Sequence, residues 1–289
     1  MIRRVAILGH PRRPGVRRAT LRLRASLARR GIEVRLARDL AEAMRLDGFT
    51  PRSLGVWCQL MVTLGGDGTA LSGGRAMAGQ RGGLLAINHG GLGFLTAAEA
   101  DETGAAVSAA LAGRWPVVAR RVVTAHVRRG RKVVRRGVAV NDAVVKSHGG
   151  YAAVHLRTAA LGQDLGHLVA DGLIAASASG STAYSLSAGG PLLAPDVEAL
   201  VVTPVCAHSL GSRSLLLPAG SPFEVRVLGS ADRTVLLFDG QDHVDLESGD
   251  VVTLALGRSV VRRIQNPARP FAQALQSKLG WQGSAKRSF

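Results

Sequence analysis

The segment Leu64-Gly65-Gly66-Asp67-Gly68-Thr69 sets one carboxylate among three glycines, between an apolar run and a stretch with helical character. Glycines let a backbone come close to a ligand, and successive amides at a helix N-terminus hold phosphate oxygens, so the pattern suits phosphates together with an acid or base. Taken alone it fits equally well a tight turn whose Asp67 caps the next helix. Neither Gly-x-x-x-x-Gly-Lys-Ser/Thr nor Gly-x-Gly-x-x-Gly fits here, which disfavours an ordinary P-loop or Rossmann turn. A second loop, Asn88-His89-Gly90-Gly91-Leu92-Gly93-Phe94-Leu95-Thr96, follows the next apolar run. Asn88 can orient a turn and donate to a ligand at once, whereas His89 reads as a solvated loop histidine.

Further along, Asn141-Asp142 ends an apolar run, and Asp171-Gly172 precedes Ser177-Ala178-Ser179-Gly180-Ser181-Thr182-Ala183-Tyr184-Ser185-Leu186-Ser187-Ala188-Gly189-Gly190-Pro191. Small residues permit close backbone approach, hydroxyls donate to ribose or phosphate oxygens, and Tyr184 offers a flat face for a ring. A flexible linker is the bland alternative, but Tyr184 and Leu186 are embedded in the run. Gly180-Ser181-Thr182 is not the Gly-x-Ser-x-Gly elbow, which argues against a serine hydrolase. The eight histidines are scattered without a His-x-x-x-His pair, so no protein-borne metal site is expected and a metal should arrive with the nucleotide.

These residues need a frame. Val5 to Gly9, Ile32 to Ala37 and Leu84 to Ile87 read as strands, and the apolar run from Trp57 to Leu64 continues the rhythm. Gly15 to Arg30, Leu40 to Leu46 and Thr69 to Met77 read as helices. Strands alternating with helices imply an open, mostly parallel α/β sheet, whose ligands bind at the carboxyl ends of the strands. Beyond about residue 115 the chain turns to closely spaced β-prone runs: Val117 to Arg128, Val133 to Val140, Ala153 to Leu161, Ala199 to Pro204, Phe223 to Leu228, Val235 to Phe238 and Val251 to Leu256. Phe271, Leu275 and Leu279 form one face of a helix that should pack back onto the protein, and the polar residues 282–289 should fray.

The formal charge of +17 invites a nucleic-acid reading. Only Lys132, Lys146, Lys278 and Lys286 are lysines, however, in a chain rich in Ala, Gly, Val and Leu. That looks like the codon bias of a GC-rich genome, with a preference for polyanions as the alternative. No specific nucleic-acid partner is expected. No apolar stretch is long enough to span a bilayer and the N-terminus lacks a full signal-peptide core, so a cytoplasmic protein without a membrane partner is expected. Cys58 and Cys206 read as reduced core residues.

Taken together, the motifs resemble the NAD kinase family: Gly65-Gly66-Asp67-Gly68-Thr69, Asn88 to Leu95, Asn141-Asp142, Asp171-Gly172, Gly180 to Pro191, Thr203-Pro204, His208-Ser209-Leu210 and Asp239-Gly240-Gln241. Gly-Gly-Asp-Gly-Thr is shared with diacylglycerol and sphingosine kinases; the Gly-Ser-Thr-Ala-Tyr block is more specific. The resemblance implies an N-terminal α/β domain, residues 1–112 with 266–289, and a β-rich NAD-binding domain, residues 113–265, the C-terminal helix returning to the first. It implies NAD as substrate between the domains, ATP near the Gly65-to-Thr69 loop with Mg²⁺ or Mn²⁺, and a homodimer or homotetramer.

Asp67 then resembles the general base for the ribose 2′-hydroxyl. Asn141, Asp142, Asp171, Thr182, Ala183, Tyr184, Ser187 and Gln241 match NAD-contacting positions, and Ser185 and Leu186 belong to the same cofactor-binding block. Many bacterial members have a basic residue where this chain has Val169, a contact that His167 could supply. Ser177-Ala178-Ser179 replaces a common Thr-Pro-Thr, and Ser214 a common proline. The basic composition makes inorganic polyphosphate a candidate second donor. A lipid or sphingoid-base kinase and a catalytically silent NAD(P)-binding regulator are the competing readings.

Overall fold

The computed structural model describes residues 2–90, 93–149, 152–230 and 232–281. The expectations for Gly91, Leu92 and the polar tail 282–289 lie outside these residues. The chain forms two compact units, Met1–Ala119 with Val261–Phe289, and Arg120–Val260.

In the first unit, strands β1 (Arg4–Gly9), β2 (Glu33–Ala37), β3 (Gly48–Phe49), β4 (Leu60–Gly65), β5 (Gly83–Asn88) and β6 (Ala98–Glu99) alternate with helices α1 (Val16–Ala28), α2 (Arg38–Glu42), α3 (Pro51–Trp57), α4 (Asp67–Met77) and α5 (Thr103–Leu111). The strand order is β5-β4-β1-β2-β3, with every pair parallel and β6 alongside the end of β5. Helices cover a parallel sheet on both faces, which is why Val5, Ala6 and Ile7 are all fully buried although neighbours on a strand point opposite ways. In α1 the buried residues Val16, Thr20, Leu23 and Leu27 follow helical spacing.

The register places three loops side by side at the carboxyl edge. Gly9 pairs with Leu64 and Gly65 with Asn88, so the segments after β1, β4 and β5 emerge together.

Local differences from the sequence reading have physical causes. Trp57 ends a helix rather than beginning a strand: Thr50 accepts the Ser53 amide at 3.2 Å and Pro51 occupies the first turn, a standard helix start. The helix expected from Leu40 to Leu46 is α2 instead, and the left-handed Arg45 (φ 56) closes its trailing turn. The helix expected from Thr69 begins at Asp67.

The second unit is built on β7 (Val117–Arg129), β8 (Lys132–Ala139), β9 (Asp142–Ser147), β10 (Val154–Ala160), β11 (Gln163–Ala170), β12 (Gly172–Ala176), the short helix α6 (Tyr184–Ser187), β13 (Ala199–Val205), β14 (Leu215–Pro218), β15 (Phe223–Gly229), β16 (Thr234–Phe238), β17 (Asp242–Leu246) and β18 (Val251–Ile264). One sheet runs β11-β10-β15-β18, with β7 joined to β18 and β8; the other runs β14-β13-β12-β9-β16-β17. Val123, Leu156, Val225 and Leu254 of the first sheet pack with Val145, Leu173, Val202, Leu236 and Phe238 of the second in one core. An α/β unit with a mostly parallel sheet and a predominantly β unit are the fold class read from the sequence.

Strand β18 is longer than the apolar run that announced it, and its end enters the first unit, where Arg262 and Arg263 pair in parallel with Gly83 and Leu84 of β5. Helix α7 (Phe271–Leu279) follows within that unit. Among the described residues no helix is long and apolar enough to cross a membrane.

Candidate active site

Strand β4 delivers Asp67 to the first turn of α4, at the carboxyl edge of the parallel sheet. Its carboxylate is fixed from the neighbouring loop: the Phe94 amide donates to Oδ2 at 2.9 Å and the Leu95 amide to Oδ1 at 3.1 Å. A methyl group on Gly93 would collide with Asp67 Oδ1, so glycine is what lets that loop close on the acid. A methyl on Gly65 would likewise collide with Thr69 Oγ1, which folds back over the strand end. Gly66 and Asp67 are half-buried and Gly68 is exposed.

The β5 loop is braced in the same way. Asn88 is buried; its Oδ1 accepts the Gly90 amide at 3.0 Å and its Nδ2 donates to Glu99 Oε2 at 2.8 Å. His89 is not solvated as expected: its amide donates to the Gly65 carbonyl at 3.0 Å and its ring is buried, with Nε2 lacking a hydrogen-bond partner among the described residues. Burial shifts this imidazole toward its neutral form, against the opposing pull of Glu99.

Two residues that the sequence reading did not single out support the loop. Glu99 also receives Arg269 at 3.0 Å, and Lys278 Nζ lies 4.4 Å from the Phe94 ring centroid, the residue whose amide holds Asp67. Burial lowers the Lys278 pKa, while the Asp67 and Glu99 charges pull it back up. Lys278 is one of only four lysines in an arginine-rich chain, the one signal that set it apart.

In the second unit Asn141 lies in the bend that follows β8, and Asp142 opens β9. The Asp239 carboxylate gathers their backbone, accepting the amides of Val140 at 3.0 Å, Asn141 at 2.7 Å and Asp142 at 3.2 Å. Asp239 and Gly240 are both left-handed (φ 51 and 64) in the tight connection between β16 and β17, and exposed Gln241 follows, its amide donating to the Phe238 carbonyl at 3.0 Å. Burial, reinforced by the Asp239 charge, pushes the Asp142 carboxyl up to about 7. Asn141 Oδ1 is buried without a hydrogen-bond partner among the described residues, an acceptor left open.

The hydroxyl-rich block has two faces. Ser177, Ser181 and Ser185, four apart, are buried. Ser177 Oγ donates to the Val140 carbonyl at 2.6 Å, Ser181 Oγ accepts the Leu193 amide at 3.0 Å, and Ser185 Oγ bonds Thr203 Oγ1 at 3.1 Å. Gly180 packs on the Asn141 backbone so closely that a methyl would collide with its carbonyl. The other face leaves Tyr184 and Ser187 exposed and Thr182, Ala183 and Leu186 half-buried.

Asp171 is exposed between β11 and β12 and hydrogen-bonds the Cys206 thiol, raising its pKa. Tyr184 is raised by burial and then by Cys206, Asp171 and Asp142. The structure thus groups Asp142, Asp171 and Tyr184, and adds Cys206. That thiol is exposed, contrary to the expected core position, because it occupies a left-handed turn (φ 47) just after β13; Cys58 is buried, its thiol pushed up to about 11 by burial. At the Val169 position, the backbone carbonyl accepts the His208 amide at 2.9 Å, and exposed His167 lies two residues back on the same strand face with its ring centroid 5.5 Å from that of His155.

Residues 5–115 match the model of the ATP-NAD kinase N-terminal domain and residues 123–265 that of the ATP-NAD kinase C-terminal domain. The chain belongs to the NAD kinase family. It is 34% identical over 280 residues to the NAD kinase of Burkholderia multivorans, covering 96% of this chain and 93% of that one. It is 37% identical over 237 residues to the NAD kinase of Desulforamulus reducens, 82% of each chain. The crystal structure of yeast NADH kinase complexed with NADH superposes with a TM-score of 0.89 at 26% identity, over 100% of this chain and 90% of that one. An Archaeoglobus fulgidus NAD kinase in complex with ATP shares the fold at a TM-score of 0.74 and 21% identity, over 96% and 97% of the two chains. As a member of this family the chain is a phosphotransferase acting on NAD, and the lipid-kinase and silent-regulator readings are not favoured.

Proposed function

We propose that this NAD kinase family member transfers the γ-phosphate of ATP to the 2′-hydroxyl of the adenosine ribose of NAD, giving NADP, with Asp67 as the general base. The observation that carries the assignment is the double amide clamp on Asp67. A carboxylate has about four lone-pair positions; the Phe94 and Leu95 amides take two and fix the orientation of the rest. A base held in one orientation removes the proton without first reorganising, and such catalysis contributes about 10²- to 10⁴-fold.

Gly65, Gly66, Gly68 and Thr69 carry the donor phosphates on backbone amides at the start of α4, and Asn88 shapes the adjoining loop. Asn141, Asp142, Asp171, Thr182, Ala183, Tyr184, Ser187 and Gln241 receive NAD. Asn141 Oδ1 and the Asp142 carboxylate suit hydroxyl or amide donors, and the exposed Tyr184 ring suits a flat base. Ser185 and Leu186 hold the block's shape. Mg²⁺ or Mn²⁺ enters with ATP and neutralises phosphate charge. The assembly is a homodimer or homotetramer, checked by light scattering, and the location cytoplasmic, checked by fractionation.

One observation favours inorganic polyphosphate as a second donor: Arg17, Arg18 and Arg22 are exposed along α1 and have no acidic partner among the described residues. A donor panel without polyphosphate-driven NADP removes that reading. The primary test is NADP formation from NAD and Mg·ATP by wild type and Asp67→Asn. A loss of at least about a hundredfold in a folded variant is expected; retention within tenfold would place the base elsewhere.

A further inference from the structure

The turn from β1 to α1, His10-Pro11-Arg12-Arg13-Pro14-Gly15, is the third loop at the carboxyl edge, and the family motifs do not include it. It is tied to the others: the His10 amide donates to the Leu64 carbonyl at 3.2 Å, the Arg13 amide to the His10 carbonyl at 2.9 Å, and Gly15 turns into the helix with φ 79. The Arg13 guanidinium extends over both glycine loops. A methyl on Gly90 would lie 2.5 Å from Nη1 and 3.0 Å from Cζ, and a methyl on Gly66 would lie 3.9 Å from Nη2. Gly90 has an ordinary φ, and with no side chain it leaves the guanidinium room to lie against the loop.

In the second unit Arg120, Arg121, Arg157 and Arg233 each face a carboxylate, whereas Arg13 is exposed and its side chain has no hydrogen-bond or ion-pair partner among the described residues. Arg12, Arg17, Arg18 and Arg22 are likewise exposed and unpaired among the described residues; what sets Arg13 apart is that its guanidinium lies against Gly66 and Gly90. The nearest loop acids are already engaged, Asp67 by two amides and Glu99 by Asn88 and Arg269. Buried His89 borders the same turn, its Nδ1 3.9 Å from where a methyl on Gly15 would be, and its Nε2 is unpartnered. A planar fork of five donors matches two phosphate oxygens at once, and transfer of a γ-phosphate depends on neutralising its spreading charge.

We infer that Arg13 is a donor-binding residue, its guanidinium seated on Gly66 and Gly90 to hold non-bridging oxygens of the terminal phosphates of ATP. The inference rests on the reading that the Gly65-to-Thr69 loop carries those phosphates.

The test compares wild type, Arg13→Ala, Arg13→Lys and Arg12→Ala, first in Mg·ATP binding by calorimetry without NAD, where no turnover occurs, and then in steady-state kinetics. Arg13→Ala should weaken ATP binding and kcat/KM for ATP about tenfold or more while the KM for NAD stays within twofold. Arg13→Lys should recover part of the loss because the charge returns without the fork, and Arg12→Ala should match wild type. ATP binding by Arg13→Ala within twofold of wild type overturns the inference, as does an equal loss toward ATP and NAD. Asp67→Asn separates the two failures: if it is inactive while Arg13→Ala is normal, only the Arg13 inference falls, and if it is active, the reading of the loop falls with it.

Discussion

Asp142 is the residue whose charge should cost this protein most. Its carboxyl is buried at the start of β9, beside an Asp239 that accepts three amides, and it is pushed up to about 7. An ordinary carboxyl titrates near 4. Between those two values the folded chain binds a proton that the unfolded chain has lost, so stability falls as pH rises through this window and levels off above it. At about 1.4 kcal/mol per pH unit, the fall from pH 5 to pH 8 is about 3 kcal/mol, and across the whole window about 4 kcal/mol at most. Asp142→Asn removes the titration and nearly preserves the shape. Its melting temperature should therefore gain on wild type by roughly 5 to 10 °C between pH 5 and pH 8, measured by calorimetry in buffers of equal ionic strength. On the proposed contact between Asp142 and NAD, the KM for NAD should also rise in this variant. A constant difference in melting temperature from pH 5 to pH 8 would refute the reasoning.

Three further outcomes follow from the contacts described. Gly93→Ala should lower kcat about a hundredfold by displacing the Asp67 carboxylate while leaving the protein folded by circular dichroism; undiminished kcat would mean that the loop yields without moving the acid. Ser185→Ala should destabilise by about 1 kcal/mol through its bond to Thr203, read by urea titration, with the KM for NAD unchanged within twofold; a tenfold rise in KM would return Ser185 to direct contact with the dinucleotide. Cys206 should react slowly with a disulfide reagent at pH 8 despite its exposure, because Asp171 raises its thiol. Asp171→Asn should accelerate that reaction severalfold, and an unchanged rate would show that the carboxylate does not control it.

Legibility in the sequence followed the range of the interactions concerned. Helix α1 and the alternating strands β10 and β15 were plain because burial on one face writes a period of 3.6 or 2 into the chain. Strands β9 and β12 were harder to recognise, buried on both faces and without alternation. The glycine loops were visible as types and spacing. That Asp67 is held by Phe94 and Leu95, that Asn88 pairs with Glu99 and that Lys278 reaches the Phe94 ring were not, since these partners meet only through tertiary packing. The serines of the Gly180 block illustrate the limit: their number suggested a ligand surface, but their spacing of four turns Ser177, Ser181 and Ser185 inward, where the hydroxyls bond backbone and Thr203.

The return of the chain to β5 has a consequence for biosynthesis. The ribosome makes β5 early and then the whole second unit before it reaches Arg262, Arg269 and Lys278. Until those residues emerge, the edge of β5 lacks its β18 partner, Glu99 lacks Arg269 and the loop that clamps Asp67 lacks the ring contact behind it. An interrupted translation product ending anywhere within the second unit would hold the Gly65-to-Thr69 sequence and the loop that clamps Asp67, but none of the β18, Arg269 and Lys278 contacts behind them.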